Sequence, residues 1–365
     1  MARPEGGKFH RNELALLGAP CGTIQALSRR LAEALQGHFR LAYVDANHGQ
    51  GESLHPFHAV YTDQISHHAL QFHDEHIEFA FREALADADG VLVNGNHFTA
   101  RRQLVLVNEQ KADSLQRKLD RLTDVQMVVL DHGMEEVHPF LREHLSGRPE
   151  VPVFGIDQVE EMAALLAHGW AEQRPPVKGL VLAGGRSTRM GEDKGALDFH
   201  GKPQREHAAD LLSRFCSETF LSVQEADPGF DSAYPFLVDG FRDLGPYGGL
   251  LTAFRHDPNS AWLVVACDMP LLDADTLQRL VEGRQPSRLA TCFHNPDTGF
   301  PEPLLTLWEP RAYHRLLRFL ALGYSCPRKV LINSEVQTLA ASCQNALKNI
   351  NTPEERDWAR SKTRL

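Results

Sequence analysis

The sequence predicts two α/β domains joined near residue 172, the second built on a mainly parallel, helix-covered sheet. Three observations lead there. The chain has 365 residues, too many for one ordinary domain at about 150 residues each. Apolar strand-like runs alternate with amphipathic helix-like segments in both halves. The composition also changes along the chain. Residues 1–175 hold 16 Lys and Arg against 25 Asp and Glu, and the remainder holds 22 against 23. Neither half is a basic footprint, which argues against nucleic acid as the partner.

In the first half, the patterns predict strands at Glu13–Leu17, Arg40–Val44, Val91–Asn94, Leu104–Val107 and Val125–Asp131, with amphipathic helices at Ile24–Leu35 and Gln158–His168. The stretch Gly169-Trp-Ala-Glu-Gln-Arg-Pro-Pro-Val-Lys178 then reads as a seam. Its two prolines cannot continue a helix, and an apolar strand follows at once. This divides the chain into domains 1–172 and 173–365. In the second half, strands are predicted at Gly179–Ala183, Thr219–Val223, Ala261–Cys267 and Leu304–Trp308, and helices around His207–Phe215, Gly249–Arg255, Asp275–Gly283 and Arg311–Leu320. Ligands of such sheets sit at the carboxyl ends of the strands. No apolar run reaches the roughly 18 residues of a membrane span, and the N-terminal sequence has no apolar signal core. The six cysteines are scattered without a Cys-x-x-Cys pair. A cytoplasmic protein with neither disulfide scaffold nor structural zinc is therefore expected.

The chemistry concentrates in Leu182-Ala-Gly-Gly-Arg-Ser-Thr-Arg-Met-Gly-Glu-Asp-Lys194. A buried strand ends there, and Gly184 and Gly185 let main-chain N–H groups approach a phosphate or base edge. Arg186, Arg189 and Lys194 add three cations to the same loop. The pattern is neither a Walker loop nor a Gly-x-Gly-x-x-Gly fingerprint. Further on, Trp262-Leu-Val-Val-Ala-Cys-Asp268-Met-Pro270 delivers one carboxylate at a strand end. Mg²⁺ favours one or two carboxylates plus phosphate oxygens and water, which points to Asp268 as a metal ligand. The competing reading of Asp268 is a helix N-cap, a role that Asp273 or Asp275 could fill instead.

These segments, with Asp239 ahead of Gly245-Pro246 and Asn349-Ile-Asn-Thr-Pro353-Glu near the end, resemble the molybdenum cofactor guanylyltransferases in order and spacing over about 185 residues. The resemblance implies a Rossmann-like nucleotidyltransferase domain, Mg²⁺ as cofactor, and GTP and molybdopterin as substrates. GMP would be joined to the molybdopterin phosphate, giving molybdopterin guanine dinucleotide and pyrophosphate. It further implies nucleotide contacts at Leu182, Ala183, Gly184, Gly185, Lys194, Ser222, Asp239 and Asp268, with Asp268 holding the metal. Asn349 and Asn351 match a segment associated with the pterin. Charge assigns Lys194, Asp268 and Arg189 to catalysis, because two anionic partners must approach and pyrophosphate must leave. Tyr247 stands where the family pattern has leucine, and its bulk is expected to narrow the pocket. The alternatives are cytidylyl transfer, sugar-phosphate nucleotidyl transfer, or a non-catalytic molybdopterin-handling module.

The first half opens on Leu14-Ala-Leu-Leu-Gly18-Ala-Pro-Cys-Gly22-Thr23, the outline of a strand, a phosphate loop and a helix. It resembles the companion GTP-binding proteins of the MobB type. A working loop needs a lysine for the β- and γ-phosphates and a hydroxyl for Mg²⁺. Here no lysine follows Gly22, and Thr23 is the one candidate hydroxyl. A degenerate P-loop NTPase domain without hydrolysis is expected, docking a molybdoenzyme or chaperone through its acidic surface. The histidines His48, His55, His58, His67, His68, His73, His76 and His97 complete no zinc consensus.

Overall fold

The run Glu13-Leu-Ala-Leu-Leu17 is buried at every position, as a parallel strand covered on both faces must be. It forms β1 (Glu13–Leu17) of a computed structural model that describes residues 7–36, 39–46, 59–64, 67–72, 84–183, 194–225, 232–341 and 344–363. The chain divides into two compact units, Glu5–Glu172 and Gln173–Leu365.

In the first unit β1 is followed by α1 (Cys21–Leu35), β2 (Leu41–Val44), β3 (Ala59–Gln64), β4 (His67–Phe72), β5 (Gly90–Asn94) and β6 (Arg102–Val107). Then come α2 (Ala112–Gln116), β7 (Val125–Leu130), α3 (Pro139–Leu145), β8 (Val153–Gly155) and α4 (Val159–Glu172). Six strands lie in the order β2-β5-β1-β6-β7-β8, all parallel. Strands β3 and β4 form a separate antiparallel hairpin that the sequence patterns did not mark. Ile24, Leu27 and Leu31 of α1 and Met162 and Leu166 of α4 cover one face of the sheet. Leu115 of α2 and Leu141 of α3 cover the other.

The second unit runs β9 (Val177–Leu182), α5 (Gln204–Leu212), β10 (Thr219–Val223), β11 (Phe236–Val238), α6 (Pro246–His256), β12 (Ala261–Ala266) and α7 (Ala274–Glu282). It continues through β13 (Ala290–Asn295), β14 (Phe300–Trp308), α8 (Ala312–Ala321), α9 (Pro327–Ile332), β15 (Gln337–Ala340) and α10 (Pro353–Thr363). The sheet order is β11-β10-β9-β12-β14-β13-β15. β14 alone runs antiparallel to its neighbours, so the sheet is mainly parallel. Leu212 of α5 and Leu277 and Leu280 of α7 pack on one face against Val181, Leu263 and Val265. On the other, Leu250 and Phe254 of α6 and Leu316 of α8 meet Leu180, Val264 and Trp262. The 21 residues between β8 and β9 include all of α4 and a bare four-residue connection, 173–176. Among the described residues, no helix is long and apolar enough to cross a membrane.

Candidate active site

Four parallel strands of the second unit end along one edge, and their register sets what stands there. Val238 of β11 pairs with Val223 of β10, Ser222 with Leu182 of β9, and Leu182 with Ala266 of β12. Backbone bonds continue this alignment past the strand ends. The Asp239 N–H donates to Val223 O at 2.8 Å, the Ala183 N–H to Ser222 O at 3.0 Å and the Cys267 N–H to Leu182 O at 3.3 Å. Ala183, Asp239 and Asp268 therefore occupy one carboxyl edge. Asp239 and Asp268 lie on strands three places apart, a separation of about 14 Å at normal strand spacing.

Asp239 is 8% exposed and Ser222 is 2% exposed. The Ser222 hydroxyl donates to Asp239 Oδ1 at 2.7 Å. Burial pushes the Asp239 carboxyl up to about 6, and the bond from Ser222 opposes that rise. The loop after Asp239 is held by Thr252 of α6, whose hydroxyl accepts from the Gly240 N–H at 3.0 Å and donates to Gly248 O at 2.8 Å. α6 approaches the strand ends so closely that a Cβ on Gly249 would lie 2.5 Å from Ser222 Oγ and 2.8 Å from Leu182 Cδ2. Only glycine fits that contact.

Asp268 lies two residues past the end of β12, is half-buried, and its backbone carbonyl accepts from the Ile350 N–H at 2.8 Å. The cap of α7 is Asp273, whose Oδ1 accepts from the Thr276 N–H at 2.8 Å. Capping therefore needs nothing from Asp268, and the N-cap reading falls away. Beside it, Asn349 Oδ1 is buried without a hydrogen-bond partner among the described residues. Asn351 N–H donates to Glu355 Oε2 at 2.7 Å, fixing the start of α10. A strand-end carboxylate and a nearby amide oxygen are hard oxygen donors, suited to a divalent cation that completes its shell from phosphate and water. No cluster of three His, Cys, Asp or Glu side chains arranged for a metal occurs among the described residues.

Other expected site residues are placed less fully. Leu182 and Ala183 stand at the edge, whereas Gly184, Gly185, Arg186 and Arg189 lie outside the described residues. Lys194 begins a short 3-10 turn, Lys194–Ala196. Tyr247 corrects the sequence-based expectation. It is fully buried in the core beneath α8, and its hydroxyl donates to Leu316 O at 2.7 Å. Its ring points into packing, so its size leaves the carboxyl edge of the sheet alone. Sequence patterns also passed over His200 and Gln204, which meet the Asp268 turn from the segment after Lys194. Their bonds reach backbone carbonyls 70 and 65 residues away, respectively, for which no local pattern exists.

In the first unit, the loop after β1 spans three residues to Cys21, with Gly18 at φ 100°. A Cβ there would lie 2.2 Å from Leu106 O. Cys21 Sγ is 3.3 Å from His97 Nε2, Asn96 Nδ2 donates to Ala19 O at 2.9 Å, and Lys118 Nζ is 3.4 Å from Asn96 Oδ1. A lysine thus stands near this loop from the distant α2 region, although none follows Gly22 in sequence. Thr23 lies in the first turn of α1. Of the histidines weighed for a metal, His97 is described, while His48, His55, His58, His73 and His76, and the side chains of His67 and His68, lie outside the described residues.

Residues 179–339 match the MobA-like NTP transferase domain. The chain is 35% identical over 193 residues to the molybdenum cofactor guanylyltransferase of Xanthomonas euvesicatoria, covering 51% of this chain and 94% of that protein. It is 35% identical over 182 residues to the molybdenum cofactor biosynthesis bifunctional protein of Synechocystis, covering 49% of this chain and 52% of that protein. The match thus spans about half the length of that bifunctional relative. Among solved structures, the molybdopterin-guanine dinucleotide biosynthesis protein A of Archaeoglobus fulgidus aligns with a TM-score of 0.44 and 24% identity, over 51% of this chain and 97% of that one.

Proposed function

Since the chain belongs, through its second unit, to the molybdenum cofactor guanylyltransferase family, we propose that it transfers GMP from GTP to molybdopterin, using Mg²⁺ and releasing pyrophosphate. The observation that carries this reading is the ordering of carboxylates along the sheet edge. Asp239 stands at one end and Asp268 at the other, about 14 Å apart at normal strand spacing. Guanine offers N–H donors that an acceptor-only carboxylate matches, so Asp239 takes the base and Ser222 holds it in orientation. Leu182 and Ala183 stand on the edge between them, the resemblance adds Gly184 and Gly185 as nucleotide contacts, and the phosphates come to Asp268.

An ionised molybdopterin phosphate oxygen attacks the α-phosphorus, forming one P–O bond as the bond to pyrophosphate breaks. No general base is needed. When bound, Mg²⁺ lowers the repulsion between the two anions and stabilises the leaving group. Asp268 would hold it, with the Asn349 carbonyl oxygen at hand. Lys194 and Arg189 supply the remaining positive charge, and Asn349 and Asn351 mark the pterin side. Positioning and electrostatics carry the rate, as in other phosphoryl transfers.

Asp268→Asn removes the charge without changing volume. It is expected to lower turnover on the order of 100-fold or more while circular dichroism stays unchanged. Near wild-type turnover at limiting Mg²⁺ would remove Asp268 from the metal site. For the first unit, we read the lysine-free loop as a degenerate nucleotide fold that does not hydrolyse GTP.

A further inference from the structure

The three carbonyls of the turn Asp268-Met269-Pro270 are each gripped from outside the turn. Asp268 O accepts from the Ile350 N–H at 2.8 Å, Met269 O from Gln204 Nε2 at 3.4 Å, and Pro270 O faces His200 Nε2 at 2.8 Å. A carbonyl only accepts, so His200 must carry its proton on Nε2. Two of the three grips thus come from residues 200–204, the segment directly after Lys194. That segment is itself braced. Asp198 Oδ1 accepts from the N–H groups of both His200 and Gly201, at 3.1 Å and 2.6 Å. The Gln204 N–H donates to Leu197 O at 2.8 Å. The His200 ring stacks on His207 of α5, with centroids 3.7 Å apart and planes 12° from parallel. Gln204 is 1% exposed. Its place in the core fixes the other end of the brace.

We propose that His200 is a positioning residue for the transfer site: its bond to Pro270 O, with Gln204 beside it, holds the Asp268 turn in register with the segment that carries Lys194. The inference rests on the transferase reading only for what the turn holds; the tether itself is a property of the fold. A carboxylate that must meet a divalent ion and phosphates at short range loses affinity when its support is slack. Partners that orient metal ligands typically cost 10-fold or more in affinity when removed.

The test compares His200→Phe, which keeps an aromatic ring against His207 but cannot donate, with His200→Gln, whose amide can donate to the same carbonyl. Two readouts do not depend on turnover. One is Mn²⁺ binding by electron paramagnetic resonance in the presence of GTP. The other is amide exchange of the peptide covering residues 268–272, measured without metal. H200F should bind Mn²⁺ about tenfold more weakly and exchange faster over 268–272, with circular dichroism unchanged. H200Q should stay close to wild type in both. In turnover, H200F should lower kcat at saturating GTP, with H200Q again restoring it. Wild-type exchange and Mn²⁺ affinity in H200F would overturn the tether and leave the guanylyltransferase reading intact. Equal damage in H200F and H200Q would also overturn it, by assigning the effect to packing. If H200F fails to fold, Gln204→Leu takes its place. Faster exchange over 268–272 then supports the tether, and unchanged exchange refutes it. Should the chain turn over no molybdopterin at all, the exchange comparison still decides the tether by itself.

Discussion

Asp239 shows how one residue's surroundings shape its chemistry. Its carboxyl is buried and pushed up to about 6, with one oxygen already taken by Ser222. Without nucleotide, the folded protein holds a proton there that the unfolded chain has released. The group therefore costs stability as pH rises from about 4 through about 6, because the folded state then binds more protons than the unfolded state. Nucleotide affinity runs the other way, since the ionised carboxylate is the form that accepts the base N–H groups. GTP binding should strengthen as pH rises through about 6 and level off near neutrality, and Asp239→Asn should bind more weakly with no such pH dependence. Titration calorimetry between about pH 5 and 7.5 measures this, and a flat wild-type profile would contradict the base-reading role. Ser222 was matched to a nucleotide-contacting position by resemblance. Its hydroxyl reaches Asp239, so on the proposed reading the position acts on the base through the carboxylate.

At the scale of elements, α6 sets how tightly the nucleotide edge is packed. Replacing a helical glycine by alanine ordinarily gains up to about 1 kcal/mol of helix propensity. At Gly249 the added methyl would lie 2.5 Å from Ser222 Oγ and 2.8 Å from Leu182 Cδ2, and overpacking typically costs about 1–3 kcal/mol. The contact wins, so Gly249→Ala should lower Tm by several degrees and raise the KM for GTP. A raised Tm would show that α6 does not press on these strands. The same elements explain which parts of the fold were legible. Strands β10 and β12 are buried at every position and β9 at Gly179, Leu180 and Val181, so their apolar runs announce them. Strand β11 is three residues long at the sheet edge with Phe236 and Val238 exposed, and β15 is half-exposed; neither carries a period. Pro301 and Pro303 hide the start of β14. Pairing with β12 covers only Leu305 and beyond, and the β13 register shifts between Cys292 and His294, which leaves room for residues that cannot donate. The strand-end site residues could be read because loops and strand ends are sequential. The grip of His200 and Gln204 on the Asp268 turn could not, because it joins side chains to distant backbone.

For the whole molecule, the two compact units meet in the chain at a four-residue connection, and every transferase feature falls in the second. We expect residues 173–365, about 190 residues, to bury a sufficient core and fold alone. The first unit should show no GTP hydrolysis above background, since its loop supplies no lysine of its own. Release of phosphate by residues 5–172 would contradict the degenerate reading. An unfolded 173–365 fragment would show that the halves share a core. The central claim is the transfer itself. Its most direct measurement supplies the purified chain with Mg²⁺, molybdopterin and, in turn, GTP, CTP or ATP, each labelled at the α-phosphorus. Label should pass to molybdopterin from GTP alone, with one pyrophosphate released per dinucleotide formed. Transfer from CTP in preference to GTP, or label that never leaves the nucleotide while molybdopterin stays bound, would contradict it.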